Sequence, residues 1–151
     1  MTKGRKMDYR EQAKDLLKRK NALVNAYAAI REELGALEDE RAGCKSAIAR
    51  AREQGREYTV FEDRLINILA ELEDCRFRKS VVERELNKIE RGMNALDEYE
   101  RDLLEGFFCT PCAKISEYLM AKYYKERATL YRDKLNALEL FTRSVYGLVQ
   151  L

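Results

Sequence analysis

Residues 16–51 read LLKRKNALVNAYAAIREELGALEDERAGCKSAIARA, and the spacing within this run decides the fold. Core-compatible side chains fall at Leu16, Lys20, Leu23, Tyr27, Ile30, Leu34, Leu37, Arg41, Cys44, Ile48 and Ala51, in alternating steps of four and three. An average repeat of three and a half keeps one stripe of a helix facing a partner, so this is a coiled-coil seam. A second seam runs through Leu65, Ile68, Leu72, Cys75, Lys79, Val82, Leu86, Ile89, Met93 and Leu96. Between the two lies EQGREYTVFED, residues 53–63, with Gly55 for a turn and Thr59 as the expected helix N-cap. The pattern predicts two helices about 50 Å long. Two arrangements satisfy it. The short connector points to an intramolecular antiparallel hairpin, and the other arrangement is a seam completed by another chain, a homodimer through the coiled coil. Lys20, Arg41 and Lys79 place charge on the seam, where such residues fix register or partner choice.

Composition agrees with helices throughout. Of 151 residues 37% are charged and 46% hydrophobic, with 7 Gly, 1 Pro and no Trp, a mixture suited to long solvent-exposed helices and unsuited to a β-sandwich. The expected class is all-α. The absence of His excludes Ser-His-Asp and Cys-His constellations, His-ligated metals and a histidine base near neutral pH. No enzymatic activity, cofactor or metal is expected. The polar start MTKGRKMDYREQ has no apolar run behind it, and no later stretch approaches the roughly 18 apolar residues of a membrane span. The chain therefore reads as soluble and cytoplasmic, with no membrane partner and with Cys44, Cys75, Cys109 and Cys112 as reduced thiols.

The net charge of +2 is unevenly spread. Residues 1–20 hold eight cations, among them Lys3, Arg5 and Lys6, against three acids. That cluster reads as a solubilising helix end or as an auxiliary phosphate contact. Beyond Met93 the heptads stop. LDEYERDLLEGFF, residues 96–108, predicts a shorter amphipathic helix with Asp97 and Glu100 as a capping box. Residues 97–105 carry five acids against Arg101 alone, whereas residues 113–143 carry seven cations against four acids. CTPCAK ends the acidic helix at Pro111, and two further helices follow, divided around Tyr124 and Lys125.

Three helices in this order, the last long and basic on one face, have the layout of a helix-turn-helix module. Leu103, Leu104, Phe107, Ile115, Leu119, Leu130, Leu138 and Phe141 are the expected small core. The opposite face of the last helix is then free for a DNA major groove, with Arg127, Ala128, Tyr131, Arg132 and Lys134 reaching inward. Arg suits guanine O6 and N7, and Ala128 suits a thymine methyl. Lys114 and Thr129 are placed as phosphate contacts that set register, and Lys125 at the turn completes the DNA-binding set. The expected division is a helical hairpin or coiled coil over 1–93 and a DNA-binding domain over 94–151.

At these residues the chain resembles a family. LDEYERDLLEGFF looks like the first helix of sigma-factor region 4, and ERATLYRDKLNALELF, residues 126–141, is similar to that region's recognition helix, with Thr129-Leu130 followed by Ala137-Leu138 and Phe141. With Tyr131-Arg132, the closing FTRSVYG and the long helical part before, the resemblance is to small phage and prophage regulators of the RinA/ArpU type. It covers about residues 94–147. It implies a sequence-specific DNA-binding transcriptional regulator, an activator of phage or prophage genes working at the bacterial nucleoid, with double-stranded DNA and RNA polymerase as partners. Where the family carries Gly or Asn and then an apolar residue before the recognition helix, this chain has Tyr124 and Lys125, and Glu126 replaces the usual Ser-type cap.

Cys109-Thr-Pro-Cys112 is a CxxC without the βαβ context of a redox site. A zinc site would need Cys44 and Cys75, or a second chain, to complete it. The plain reading is an interhelix turn with buried thiols. The carboxylate pairs Glu98/Glu100 and Asp102/Glu105 read as surface acids rather than a catalytic dyad. Two other functions fit a helix-turn-helix joined to a coiled coil: a phage packaging protein of the small-terminase kind, and a structural coiled-coil adaptor.

Overall fold

The computed structural model describes residues 8–151. They are all-helical: α1 spans Tyr9–Lys18, α2 Lys20–Glu53, α3 Thr59–Asn94, α4 Glu98–Leu104, α5 Ile115–Tyr123 and α6 Arg127–Tyr146, with no strand among the described residues. Lys3, Arg5 and Lys6 of the basic cluster lie outside the described residues. The chain divides into two packing units, Val24–Arg84 and the residues up to Leu23 taken together with Glu85–Leu151.

In Val24–Arg84, α2 and α3 bury one continuous stripe. Ile30, Leu37 and Cys44 meet Ile68, Leu72 and Cys75, and Leu34, Leu65 and Val82 close the edges. The cross-helix partners fix the direction: Arg64 pairs with Glu40, Arg78 with Glu33 and the Tyr27 hydroxyl with Glu83, so numbers fall along α2 as they rise along α3. None of the seam positions in this unit is exposed, including the charged ones. Arg41 and Lys79 are half-buried, and Lys79 carries its ammonium to Glu83 at 3.6 Å, which is how a long cationic side chain serves a seam. The connector ends α2 with Gly55 at φ +65, while Arg56 N–H reaches the Ala51 carbonyl at 2.8 Å and Gly55 N–H the Arg52 carbonyl at 3.3 Å. This is a Schellman motif, which needs the left-handed residue that glycine supplies. Thr59 is not the cap the sequence suggested. It is the first residue of α3, and its hydroxyl donates to Glu57, whose carboxylate also accepts from the Tyr58 and Thr59 amides at 3.1 and 2.9 Å.

The other unit is built differently. The seam reads through Leu16 without interruption, yet α1 stops at Lys18 and Arg19 forms a turn before α2. That break turns Ala13, Leu16 and Leu17 onto α6 and the end of α3, into one core with Ile89, Met93, Leu96, Leu104, Ala137, Leu138, Phe141 and Val145. Gly92 permits this approach, because a Cβ there would collide with the Phe141 ring and Val145. Arg91 donates to the Ser144 carbonyl at 3.1 Å, satisfying the open C-terminal end of α6. The expected boundary at 93/94 therefore does not coincide with the packing boundary, since α1 and the last turns of α3 share a core with α6.

The expected single C-terminal core is also two. Leu103, Leu119 and Leu130 form a second, smaller cluster with Tyr99, Phe107, Ile115, Met120 and Tyr123 around it. Leu103 and Leu104 are adjacent on α4, about 100° apart around its axis, and each enters a different core. The capping box at the start of α4 is present: the Asp97 carboxylate accepts from the Glu100 amide at 2.8 Å, and Glu100 returns the bond to the Asp97 amide at 3.2 Å. The last turn of this helix, Glu105–Cys109, widens to π geometry, which the sequence pattern did not announce. Gly106 sits within it, and a Cβ there would lie 2.6 Å from the Ile115 side chain, so α5 packs where only glycine leaves room.

Candidate nucleic-acid interface

Helix α6 buries Leu130, Ala137, Leu138, Phe141, Thr142 and Val145. On the 3.6-residue period this leaves Arg127, Ala128, Tyr131, Arg132, Leu135 and Asn136 on the outer side, and all six are exposed. The helix begins at Glu126, which has extended backbone and whose side chain makes no cap bond, so the first amides of α6 have no side-chain acceptor. Three residues, Tyr124 to Glu126, join it to α5. Tyr124 takes φ +54 and ψ +45, the left-handed conformation that Gly or Asn would supply in the family pattern, and the Lys125 amide closes the turn onto the Met120 carbonyl at 3.2 Å.

The eight residues expected to bind DNA fall into two groups. Arg127 and Ala128 stand open on the first turn of α6, with Arg132 one turn on, its side chain 70% exposed. Tyr131 is exposed on the same side, its ring held 5.6 Å from that of Phe107 and its hydroxyl 3.4 Å from the Ser116 Oγ. Lys114 is exposed immediately before α5. The remaining three are engaged within the protein. Thr129 is half-buried; Lys125 lies 4.7 Å over the Tyr99 ring and 3.5 Å from Asp133; Lys134 lies 4.5 Å over the Tyr131 ring and 4.8 Å over that of Phe107. These cation–π contacts direct the two ammonium groups onto the aromatic side of the small core.

Asp133, the acid nearest the open face, is turned inward. It accepts from the Tyr99 hydroxyl at 2.9 Å as well as from Lys125. Burial first, and then the bond to Asp133, push the Tyr99 phenol above its ordinary pKa. Leu135, Asn136 and Tyr124 were not anticipated at this face. Leu135 and Asn136 follow Ala128, Tyr131 and Arg132 by helical steps of three and four, a signal present in the sequence. The exposure of Tyr124, at 95%, follows from a backbone conformation that its residue type argues against.

The acids of α4 are mostly occupied. Glu100 serves the capping box, Glu105 pairs with Lys20, and Asp102 accepts from Lys122 at 2.8 Å and from the Tyr123 hydroxyl. Burial raises the Asp102 pKa, but the bonds from Lys122 and Tyr123 outweigh it and hold the carboxyl below its usual range. The CxxC reading needs one correction: Cys109 is buried, but Cys112 is exposed, because the chain leaves the π turn at Thr110 and passes over the surface. Burial pushes the Cys109 thiol up, with Lys20 opposing, and its carbonyl accepts from Asn21 at 3.1 Å. No group of three or more potential metal ligands occurs among the described residues. Among the same residues, no helix is long and apolar enough to cross a membrane. Comparison with protein families, curated proteins and solved structures returns no match.

Proposed function

We propose that this chain is a sequence-specific DNA-binding transcriptional regulator of the phage type, with α5 and α6 as a sigma-region-4-like helix-turn-helix and α2 and α3 as an antiparallel hairpin. The observation that carries the reading is the open start of α6. Arg127, Ala128, Tyr131 and Arg132 share one exposed side, while the neighbouring Asp133 is held inward by Tyr99 and Lys125. In this reading Arg127 and Arg132 read base edges, Ala128 leaves space for a thymine methyl, and Lys114 grips phosphate from the start of α5. Lys125, Thr129 and Lys134 act by holding the turn and the aromatic platform under Tyr131. Asn136, exposed on the same side two turns into the helix, suits adenine recognition. RNA polymerase or a second copy of the chain is the proposed partner of the hairpin.

Selection from a random duplex library with the purified chain at two salt concentrations, beside the Arg127→Ala/Arg132→Ala variant, tests this. The expected result is an enriched motif that the variant loses, with affinity falling steeply as salt rises. Binding without a motif, or a motif kept by the variant, would sink the recognition role of α6. The coiled-coil adaptor remains the second reading, favoured by Phe77 and Ile66, which are 67% and 64% exposed on α3.

A further inference from the structure

We infer that the groove between α2 and α3 near their connector receives an acidic amphipathic helix of a partner protein. The groove has a volume of about 360 Å³. Ile48 and Leu65 form its floor, Ile66 and Leu69 rise along the α3 wall, and Lys45 and Arg52 stand on the α2 lip. Ile66 and Leu69 are large apolar side chains left 64% and 45% exposed, so water covers a surface that an apolar stripe would cover at a gain of about 25 cal/mol per Å².

Charge identifies the occupant. Elsewhere in the Val24–Arg84 unit Arg64, Arg76, Arg78 and Lys79 each have a carboxylate within 4 Å: Glu40, Glu38, Glu33 and Glu83. Among the described residues Lys45 and Arg52 enter no ion pair, and the Arg52 guanidinium rests on the Tyr58 ring at 5.1 Å instead. The acid in the lining, Glu62, lies in the first turn of α3, where the amide ends of its own helix favour its charge. A helix with Leu, Ile or Phe at i, i+3, i+4 and i+7 and acids along one edge satisfies both features. Lys45 and Arg52 are seven residues apart, so about two turns of such a helix align its acids with them. A phosphate backbone would meet the two cations but leave Ile66 and Leu69 wet. The larger groove of about 510 Å³ beside Phe77 carries no comparable signal, because its cation Arg78 is already neutralised by Glu33 and Asp74.

The test uses the full chain and three labelled probes in fluorescence anisotropy. They are a synthetic helical peptide of about four turns with a Leu stripe flanked by Glu, the same stripe flanked by Lys, and a DNA duplex. The Glu-flanked peptide should bind at least tenfold more tightly than the Lys-flanked one, Lys45→Glu/Arg52→Glu should invert that preference, and Ile66→Ser should weaken both peptides. All three positions lie at the surface of the groove, and circular dichroism verifies that the variants keep their helices. The Arg127→Ala/Arg132→Ala variant should bind the Glu-flanked peptide as the parent does, which separates this groove from the proposed DNA face. Equal affinity for the two peptides, no binding of either, or duplex binding that Lys45→Glu/Arg52→Glu abolishes would overturn the inference.

Discussion

Val24–Arg84 and the α4–α5–α6 region are both helical and both rich in Leu, yet they hold together in opposite ways. In the first, two long helices repeat one contact along a single stripe, and ion pairs on the flanks, such as Arg64 with Glu40 and Arg78 with Glu33, reinforce the register. In the second, α4 has Leu103 and Leu104 back to back in separate cores, and the smaller core has only Leu103, Leu119 and Leu130 fully buried. A repetitive interface distributes its stability over many equivalent contacts. A small core does not, so one truncation there removes a third of what is fully enclosed.

The sharpest way to break this comparison is to delete the same side chain from each. Leu72 and Leu130 are both 0% exposed, and Leu→Ala at either costs about 2–5 kcal/mol. Native-state hydrogen exchange should show Leu130→Ala losing amide protection across α5 and the start of α6 while the α2–α3 pair stays protected. Leu72→Ala should loosen α2 and α3 around that layer. If both variants lowered protection uniformly along the chain, the two regions would form one cooperative unit and the distinction would fail.

Glycine gives the second contrast, with opposite signs. A methyl at Gly106 meets Ile115 at 2.6 Å within the π turn, whereas one at Gly43, on the exposed side of α2, meets nothing within 4 Å. Gly106→Ala should destabilise by about 1–3 kcal/mol through overpacking. Gly43→Ala should stabilise by about 0.5–1 kcal/mol, because alanine loses less backbone entropy in a helix. Chemical denaturation of the two variants beside the parent measures both. A Gly106→Ala variant as stable as the parent would mean that α5 is not closely seated on the π turn.

The same contrast explains what the sequence could reveal. Periodicity reports contacts that repeat, so every seam residue read from Leu23 to Leu96 is buried or half-buried in the structure. The ends of α3 and α4 were legible because Asp97 and Pro111 act through local chemistry. Periodicity is blind to a break that preserves phase, and for that reason the turn at Arg19 was invisible although Leu16 stays buried. It is equally blind to which of two cores a buried residue enters, so Leu103 and Leu104 were assigned to one. At the candidate site, the exposed side of α6 was readable from its helical spacing. The inward turn of Lys125 and Lys134 was not, because it depends on where Tyr99, Phe107 and Asp133 lie in space. Tyr124 went unforeseen for a different reason. A left-handed tyrosine costs about 1–2 kcal/mol against its residue type, and only the closure of α5 onto α6 holds it there.

The smallest expected effect concerns how pH acts on α4 and α5. Asp102 on α4 accepts from Lys122 and Tyr123 on α5, and these bonds outweigh its burial and lower its pKa. A carboxyl whose folded pKa is depressed contributes stability that is fully present above its unfolded value, about 4, and is lost as pH falls through the folded value. Lys122 is shifted the other way, upward, by its bond to Asp102. Its contribution is present below the unfolded value of about 10.4 and disappears as pH rises through the folded one. The tie between α4 and α5 is therefore intact across the neutral range and loosens at both extremes. In the Val24–Arg84 unit the shifts on Arg64 and Arg78 run upward, out of reach of titration, and Glu57 at the connector is the acid whose pKa is lowered, by its bonds from Thr59. Acidification below about pH 4 should thus release protection in α5 and at the start of α3 before the middle of α2 and α3 responds. Asp102→Asn should show weaker α5 protection at neutral pH and a flat acid limb there, with the response at the start of α3 unchanged. A variant whose α5 amides lost protection in parallel with the parent on acidification would show that some other carboxyl, and not Asp102, makes this region sensitive to acid.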